Sequence, residues 1–164
     1  MSSSGMKWEV APDSLSAHIC MLIGEYLHTL DDKKRISLPA KFRKEMGRTI
    51  VVTRGLDTCL FMFPEKAWGS IATKLQSLPF GQSDTRGISR FLLSGATDVD
   101  VDGAGRILIP EYLKKFAALE SNVVITGVAD RVEIWNERNW ERYKDRIERG
   151  ADQIAQKLGE LGIL

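Results

Sequence analysis

The amino-acid sequence predicts an α+β, β-rich fold in which one strand-dominated module with flanking helices occurs twice. Three observations carry this reading. The first is an internal repeat: Gly24 to Lys44 aligns without a gap on Gly95 to Lys115, pairing Asp31 with Asp102, Arg35 with Arg106, Ile36 with Ile107 and Pro39 with Pro110 at a constant offset of 71. After one inserted residue the match resumes at offset 72, where Val51-Val52 meets Val123-Val124, Gly55 meets Gly127, Glu65 meets Glu137 and Trp68 meets Trp140. Self-similarity at one sustained period is the signature of a duplicated structural unit. The second observation is a set of β-branched runs, and the third is apolar residues at helical spacing.

Taken in order, each copy reads as a strand, a charged turn, a strand ending at proline, one or two helical turns, a hairpin and an amphipathic helix, a ββαββα-like order. Ile50-Val51-Val52 and Val123-Val124-Ile125 are strand-forming runs, and Gly-containing stretches return them into Leu60 to Phe63 and Val132 to Trp135. Trp68, Ile71, Ala72, Leu75 and Leu78 share one helical face, as do Trp140, Tyr143 and Ile147, and such faces belong to core or subunit contacts rather than base-stacking platforms. A further helix is predicted in each copy, around Ile88 to Leu93 with Ser83 or Asp84 as N-cap, and around Ile154 to Leu161. The domain organisation is therefore a flexible N-terminal extension at 1–20, rich in Ser and Ala, a first repeat at 21–94 and a second at 95–164. A module of about 70 residues is marginal alone, so the two should form one pseudo-twofold unit.

Composition excludes several classes. At 43% hydrophobic residues the chain can bury a core, but its longest apolar runs are too short to cross a bilayer, and 1–20 lacks the apolar segment of a signal peptide. Cys20 and Cys59 give no disulfide framework, which fits a reducing cytoplasm. His18, Cys20, His28 and Cys59 are too few and scattered for a catalytic or zinc set, so no enzyme, metal, cofactor or small-molecule substrate is expected. A Gly69-Ser70 pair invites comparison with self-processing decarboxylases, yet it falls inside an amphipathic helix rather than a strained turn.

Net charge is only +1, but residues 21–50 hold seven Lys and Arg against four Asp and Glu. Within that segment Asp31-Asp32-Lys33-Lys34-Arg35 shares an Asp-x-x-x-Arg spacing with Asp102-Gly103-Ala104-Gly105-Arg106. An Asp entering a tight turn can accept the turn's backbone N–H groups and leave the intervening residues displayed at the tip. An Asp–Arg pair across the turn would stiffen the loop, and a stiff loop loses less entropy on binding. An arginine fork pairs with guanine O6 and N7 while lysines hold phosphates, so Arg35 reads as a base reader with Lys33 and Lys34 positioning it. Arg106 is a second candidate, although Asp98, Asp100 and Asp102 around it make a purely structural pair equally consistent with the sequence. Arg86 and Arg90, four apart on a predicted helix, fit an interface or a solvated face, and Lys114 and Lys115 with Glu111 and Glu120 read as an ordinary mixed helix surface.

Both turns with their following prolines, Gly24-Glu25-Tyr26, Lys41-Phe42-Arg43 and Asp102-Gly103-Ala104-Gly105-Arg106 resemble the MraZ family of the AbrB-like swapped-hairpin superfamily, over a span from Met21 to about Leu161. The resemblance implies two AbrB-like swapped-hairpin or β-barrel repeats and a bacterial, nucleoid-associated transcriptional regulator of the division and cell-wall gene cluster, without enzymatic activity. It implies a ring-shaped homo-oligomer on double-stranded DNA, bound to short G-rich direct repeats upstream of its own operon. On these grounds Lys33, Lys34, Arg35 and Arg106 are the DNA-binding candidates, and Asp31 and Asp102 the turn-structuring ones. Lys34 departs from the family's usual glycine, implying either a different first turn or a strained lysine kept for a phosphate contact. The competing reading is an AbrB-like antitoxin or scaffold that binds a protein partner.

Overall fold

A computed structural model describes residues 21–163; the extension expected at 1–20 lies outside the described residues. The chain forms β1 (Leu22–Thr29), β2 (Arg35–Ser37), α1 (Ala40–Met46), β3 (Thr49–Arg54), β4 (Leu60–Pro64), α2 (Glu65–Gln76) and α3 (Ser83–Gly95). It continues through β5 (Thr97–Asp100), β6 (Arg106–Leu108), α4 (Glu111–Phe116), β7 (Asn122–Ala129), β8 (Val132–Asn136) and α5 (Glu137–Glu160). The fold is α+β and strand-rich, and the ββαββα order occurs twice.

The strands interleave. A six-stranded antiparallel sheet runs β1-β7-β8-β4-β3-β5, and a separate two-stranded ribbon pairs β2 with β6. If β1 is equated with β5, β3 with β7 and β4 with β8, the sheet order reads the same from either end. Each copy's first strand thus adds to the other copy's hairpin, β1 to β7 and β5 to β3. The register locates the symmetry element: Ile36 pairs with Ile107, its own equivalent, and Phe61 pairs with Glu133, again its own equivalent. Neither copy completes a sheet without the other.

Period-two alternation assigns the faces. Val123, Ile125 and Ile134 join Ile36, Ile107, Phe42 and Leu113 in the main core between the large sheet and the ribbon with α1 and α4, whereas Val124 and Trp135 join a second cluster beneath α5. There Trp140 and Tyr143 pack at a tilt on Trp135 with ring centroids 5.3 and 4.9 Å away. On the equivalent side Trp68 of α2 packs on Phe63 at 5.7 Å. The short helices α1 and α4 start where Pro39 and Pro110 end the preceding strands, and those proline carbonyls accept from Arg43 N–H and Lys114 N–H at 3.1 and 3.0 Å. A proline suits a helix start because it spares a backbone donor that would lack an intrahelical partner.

Two expectations need correction. The second copy has no separate helix at Ile154 to Leu161: α5 runs unbroken for 24 residues. The first copy breaks because Pro79 disfavours helical geometry in Leu78 and lacks an N–H, whereas Ala151 occupies the equivalent place in α5. The N-cap of α3 is Gln82, not Ser83 or Asp84, and its side chain makes no cap hydrogen bond. Thr85 Oγ1 and Arg86 N–H instead satisfy the Gln82 carbonyl, at 2.9 and 3.2 Å. Gly69 and Ser70 lie within regular α2. Among the described residues no helix is long and apolar enough to cross a membrane.

Candidate nucleic-acid interface

The two Asp-x-x-x-Arg segments fold into the same loop. In the first, Lys34 N–H donates to Asp31 O at 2.9 Å and Asp31 N–H to Arg35 O at 3.0 Å; in the second, Gly105 N–H donates to Asp102 O at 2.9 Å and Asp102 N–H to Arg106 O at 2.8 Å. This is the three-residue loop in which a β-turn is followed by one residue in the left-handed region. That residue is Lys34 at φ 61° and Gly105 at φ 76°. The first loop therefore keeps its geometry with lysine in place, at a backbone cost of about 1–2 kcal/mol relative to an unstrained conformation.

Each aspartate binds its arginine at two points. Asp31 Oδ1 accepts from Arg35 N–H and Oδ2 from Arg35 Nε, both at 2.8 Å. Asp102 Oδ1 accepts from the Ala104 and Arg106 N–H groups and Oδ2 from Arg106 Nε, all at 2.9 Å. The backbone N–H of Arg35, then its guanidinium, holds the Asp31 carboxyl below its ordinary range, and Arg106 does the same to Asp102. Among the described residues only Nε of each guanidinium is engaged. Among the described residues the Nη groups of Arg35 and Arg106 have no hydrogen-bond partner, so each presents two donors in a plane fixed from behind. That is the fork a guanine edge or a phosphate accepts.

The strands place the two forks together. β2 pairs with β6 as Arg35 with Leu108, Ile36 with Ile107 and Ser37 with Arg106. Ile36 and Ile107 face the core and are fully buried, so Arg35, Ser37, Arg106 and Leu108 share the opposite, outward face, where Leu108 is 55% exposed. Arg35 and Arg106 are diagonal neighbours, a relation that spans roughly 7–8 Å in antiparallel pairs. The core isoleucine after each arginine anchors the display: moving Arg35 means drawing Ile36 from its cavity, and emptying such a site by Ile→Ala costs about 2–5 kcal/mol. A two-stranded antiparallel ribbon with cationic residues on its free face is one of the shapes the major groove admits.

The sequence-derived lysines divide. Lys33 is exposed and without an ion-pair partner among the described residues. Lys34 reaches the other copy, pairing through Nζ with Glu111 of α4, which depresses the Glu111 carboxyl, chiefly through that hydrogen bond. Reading Glu111 as ordinary helix surface misses this contact. Arg43 of α1 is also missed: its guanidinium lies against Gly105 so closely that a β-carbon there would collide with it. Each loop thus rests on the other copy's short helix. The signal available in sequence was the pairing of Lys34 with Gly105 and of Arg43 with Lys114 at offset 71. Elsewhere, Cys59 is buried and its thiol, donating to Leu56 O at 3.1 Å, is pushed far above its usual pKa by desolvation. It is inert.

Comparison with known proteins agrees with the duplication. The family model described as "MraZ protein, putative antitoxin-like" matches twice, at residues 21–91 and 92–159. A transcriptional regulator MraZ from Syntrophomonas wolfei is 45% identical over 143 residues, covering 87% of this chain and 100% of that protein. Proteins of the same name from Caldicellulosiruptor saccharolyticus and Oenococcus oeni are 47% and 48% identical over the same length and coverage. With two matches spanning most of its length and relatives covered end to end, the chain belongs to the MraZ family.

Proposed function

We propose that this protein is a sequence-specific DNA-binding transcriptional regulator whose reading surface is the outward face of the β2–β6 ribbon. The observation that carries the proposal is the pair of aspartate-clamped arginines, Arg35 and Arg106, displayed side by side with Nη groups that have no partner among the described residues. Arg35 contacts base edges, Lys33 holds phosphate, Lys34 adds to the local field, and Arg106 supplies the second fork from the other copy. Asp31 and Asp102 preorganise the loops, so little order has to be acquired on binding. Residues 21–94 and 95–164 act as the halves of one pseudo-twofold unit.

Such a subunit offers few cations, and a net charge of +1 gives little non-specific attraction. Useful affinity follows if a homo-oligomer, a ring in this reading, presents several ribbons to successive short direct repeats, since each contact after the first is effectively intramolecular. The family relationship supports G-rich repeats upstream of the protein's own operon in the division and cell-wall cluster as the target, and a cytoplasmic, nucleoid-associated location. The relatives' names as transcriptional regulators support regulation rather than catalysis.

The test is an anisotropy titration against the protein's own upstream DNA and a scrambled duplex at two salt concentrations. The expected result is preference for the upstream DNA, with binding to both weakening as salt rises. Equal or absent binding to both would overturn the proposal in favour of an antitoxin-like or scaffolding role through protein contacts.

A further inference from the structure

The outward face of the β2–β6 ribbon is not symmetric. The pseudo-twofold axis relates Arg35 to Arg106 and Ser37 to Leu108, while the register sets Leu108 directly opposite Arg35 and Ser37 directly opposite Arg106. The nearest cross-strand neighbour of the first fork is therefore an isobutyl group, and that of the second is a hydroxyl. Directly opposite residues in an antiparallel pair have β-carbons roughly 4.5–5.5 Å apart, close enough to act on neighbouring base pairs, whose rise is about 3.4 Å. Leu108 cannot retreat from this face. Ile107 and Ile109 on either side of it are buried, and the ends of the ribbon are tied by Ile109 N–H donating to Lys34 O and Leu38 N–H to Gly105 O, both at 2.9 Å. A large apolar side chain thus stays exposed beside two arginines whose Nη groups have no partner among the described residues.

We infer that Leu108 is a specificity-determining residue of the ribbon, packing on the 5-methyl group of a thymine beside the guanine that Arg35 reads. The partner has to suit both kinds of side chain at once. An apolar protein surface laid on Leu108 would bury two guanidinium groups without acceptors, which costs more than covering one leucine returns. The major groove offers guanine O6 and N7 to the arginines and, as the apolar feature of its floor, the thymine methyl to the leucine. Ser37, in the equivalent place, carries a hydroxyl that serves donors and acceptors alike and selects no base. The leucine therefore gives the ribbon a direction. With equivalent residues at both places the face would bind a site equally well in either orientation, whereas one leucine and one serine favour a single orientation. Direct rather than inverted repeats need that polarity, because every ribbon must then meet its repeat the same way round. This inference rests on the reading surface proposed above and names a second base feature that it recognises.

The experiment is an anisotropy titration of the full-length protein against its upstream duplex, with thymines replaced one at a time by deoxyuridine, which deletes the methyl group and keeps the base pairing. The wild type is expected to lose about fourfold in affinity per engaged repeat at one thymine beside a guanine, the worth of one buried methyl group. Leu108→Ser, which copies the equivalent residue, is expected to lose about as much on the unmodified duplex and to be indifferent to deoxyuridine. Circular dichroism and light scattering without DNA check the fold and assembly of this variant, whose substitution lies at an exposed position. A wild type that prefers its upstream DNA to a scrambled duplex and ignores every deoxyuridine would overturn the role of Leu108 while leaving the reading surface standing. No preference for the upstream DNA would overturn both. An undiminished deoxyuridine loss in Leu108→Ser would assign the methyl group to another residue, and a changed assembly state would make Leu108 a subunit contact; either overturns the inference. Two sensitive thymines related by a twofold axis within one repeat would overturn the polarity.

Discussion

The loop at Asp31–Arg35 and the loop at Asp102–Arg106 have the same backbone and different supports. Both place one residue in the left-handed region and both clamp an arginine by its N–H and its Nε. In the second, that residue is Gly105, covered by Arg43; in the first it is Lys34, extended to Glu111. The substitutions are coupled across the pseudo-axis: Lys114 stands where Arg43 would be equivalent, and Ala40 where Glu111 would be. The comparison teaches that loop shape is set by the aspartate clamp and the ribbon. The left-handed position is free to vary if the facing helix from the other copy varies with it.

The comparison breaks most sharply on DNA. Arg35→Ala is expected to weaken specific binding by roughly tenfold to a hundredfold per engaged site, the worth of a bidentate base contact, without loss of the fold. Arg106→Ala should cost several-fold less, because Lys33 and Lys34 accompany only the first loop, where the second has Ala104 and Gly105. Equal losses in anisotropy titrations would show that the loops are equivalent readers; wild-type affinity in Arg35→Ala would remove it from the site.

Much of this was legible in sequence for a physical reason: a duplicated segment states its important residues twice. The offset of 71 found both Asp-x-x-x-Arg turns, both prolines and the equivalence of Ile36 with Ile107 before any geometry. It did not show that the copies exchange first strands, because pairing of β1 with β7 and β5 with β3 depends on contacts distant in sequence. Nor did it show that Lys34 meets Glu111, since that contact joins a loop of one copy to a helix of the other. The unbroken α5 is a miss of another kind. Repeat logic carried the helix break into the second copy, where the proline responsible for it is absent.

Stability sharpens the comparison. Gly105→Lys imposes left-handed strain and a collision with Arg43, and each kcal/mol shifts Tm by about 2–4 °C in a chain this size, so a fall of roughly 4–8 °C is expected. Lys34→Gly relieves strain but gives up backbone restriction and the Glu111 contact, so a rise of only about 2 °C is expected. A fall in Lys34→Gly would mean that the lysine, not the clamp, holds the first loop.

Acid titration tests whether the clamps are alike. Both carboxyls have folded pKa values below the ordinary aspartate value of about 3.9, so each contributes stability that is full above that value and lost as pH falls through the lower folded one. Carboxyl NMR should find both Asp31 and Asp102 titrating below ordinary aspartate. One of them titrating normally would identify a loop whose clamp does not persist in solution.

The smallest effect separates the two uses of Lys34. In the free protein its ammonium is paired with Glu111, an exposed contact that salt weakens readily. If Lys34 turns to phosphate on binding, Glu111 competes with DNA for it. Glu111→Gln removes the competitor while keeping its shape. Affinity should then rise a few-fold at low salt, and the slope of log affinity against log salt should steepen by up to about one for each loop in contact. No such change is expected from Ala40→Gln, the equivalent place facing the second loop, which has glycine and no ammonium to release. An unchanged slope in Glu111→Gln would make Lys34 a structural tie between the copies, leaving Lys33 and the two arginines as the cations that meet DNA.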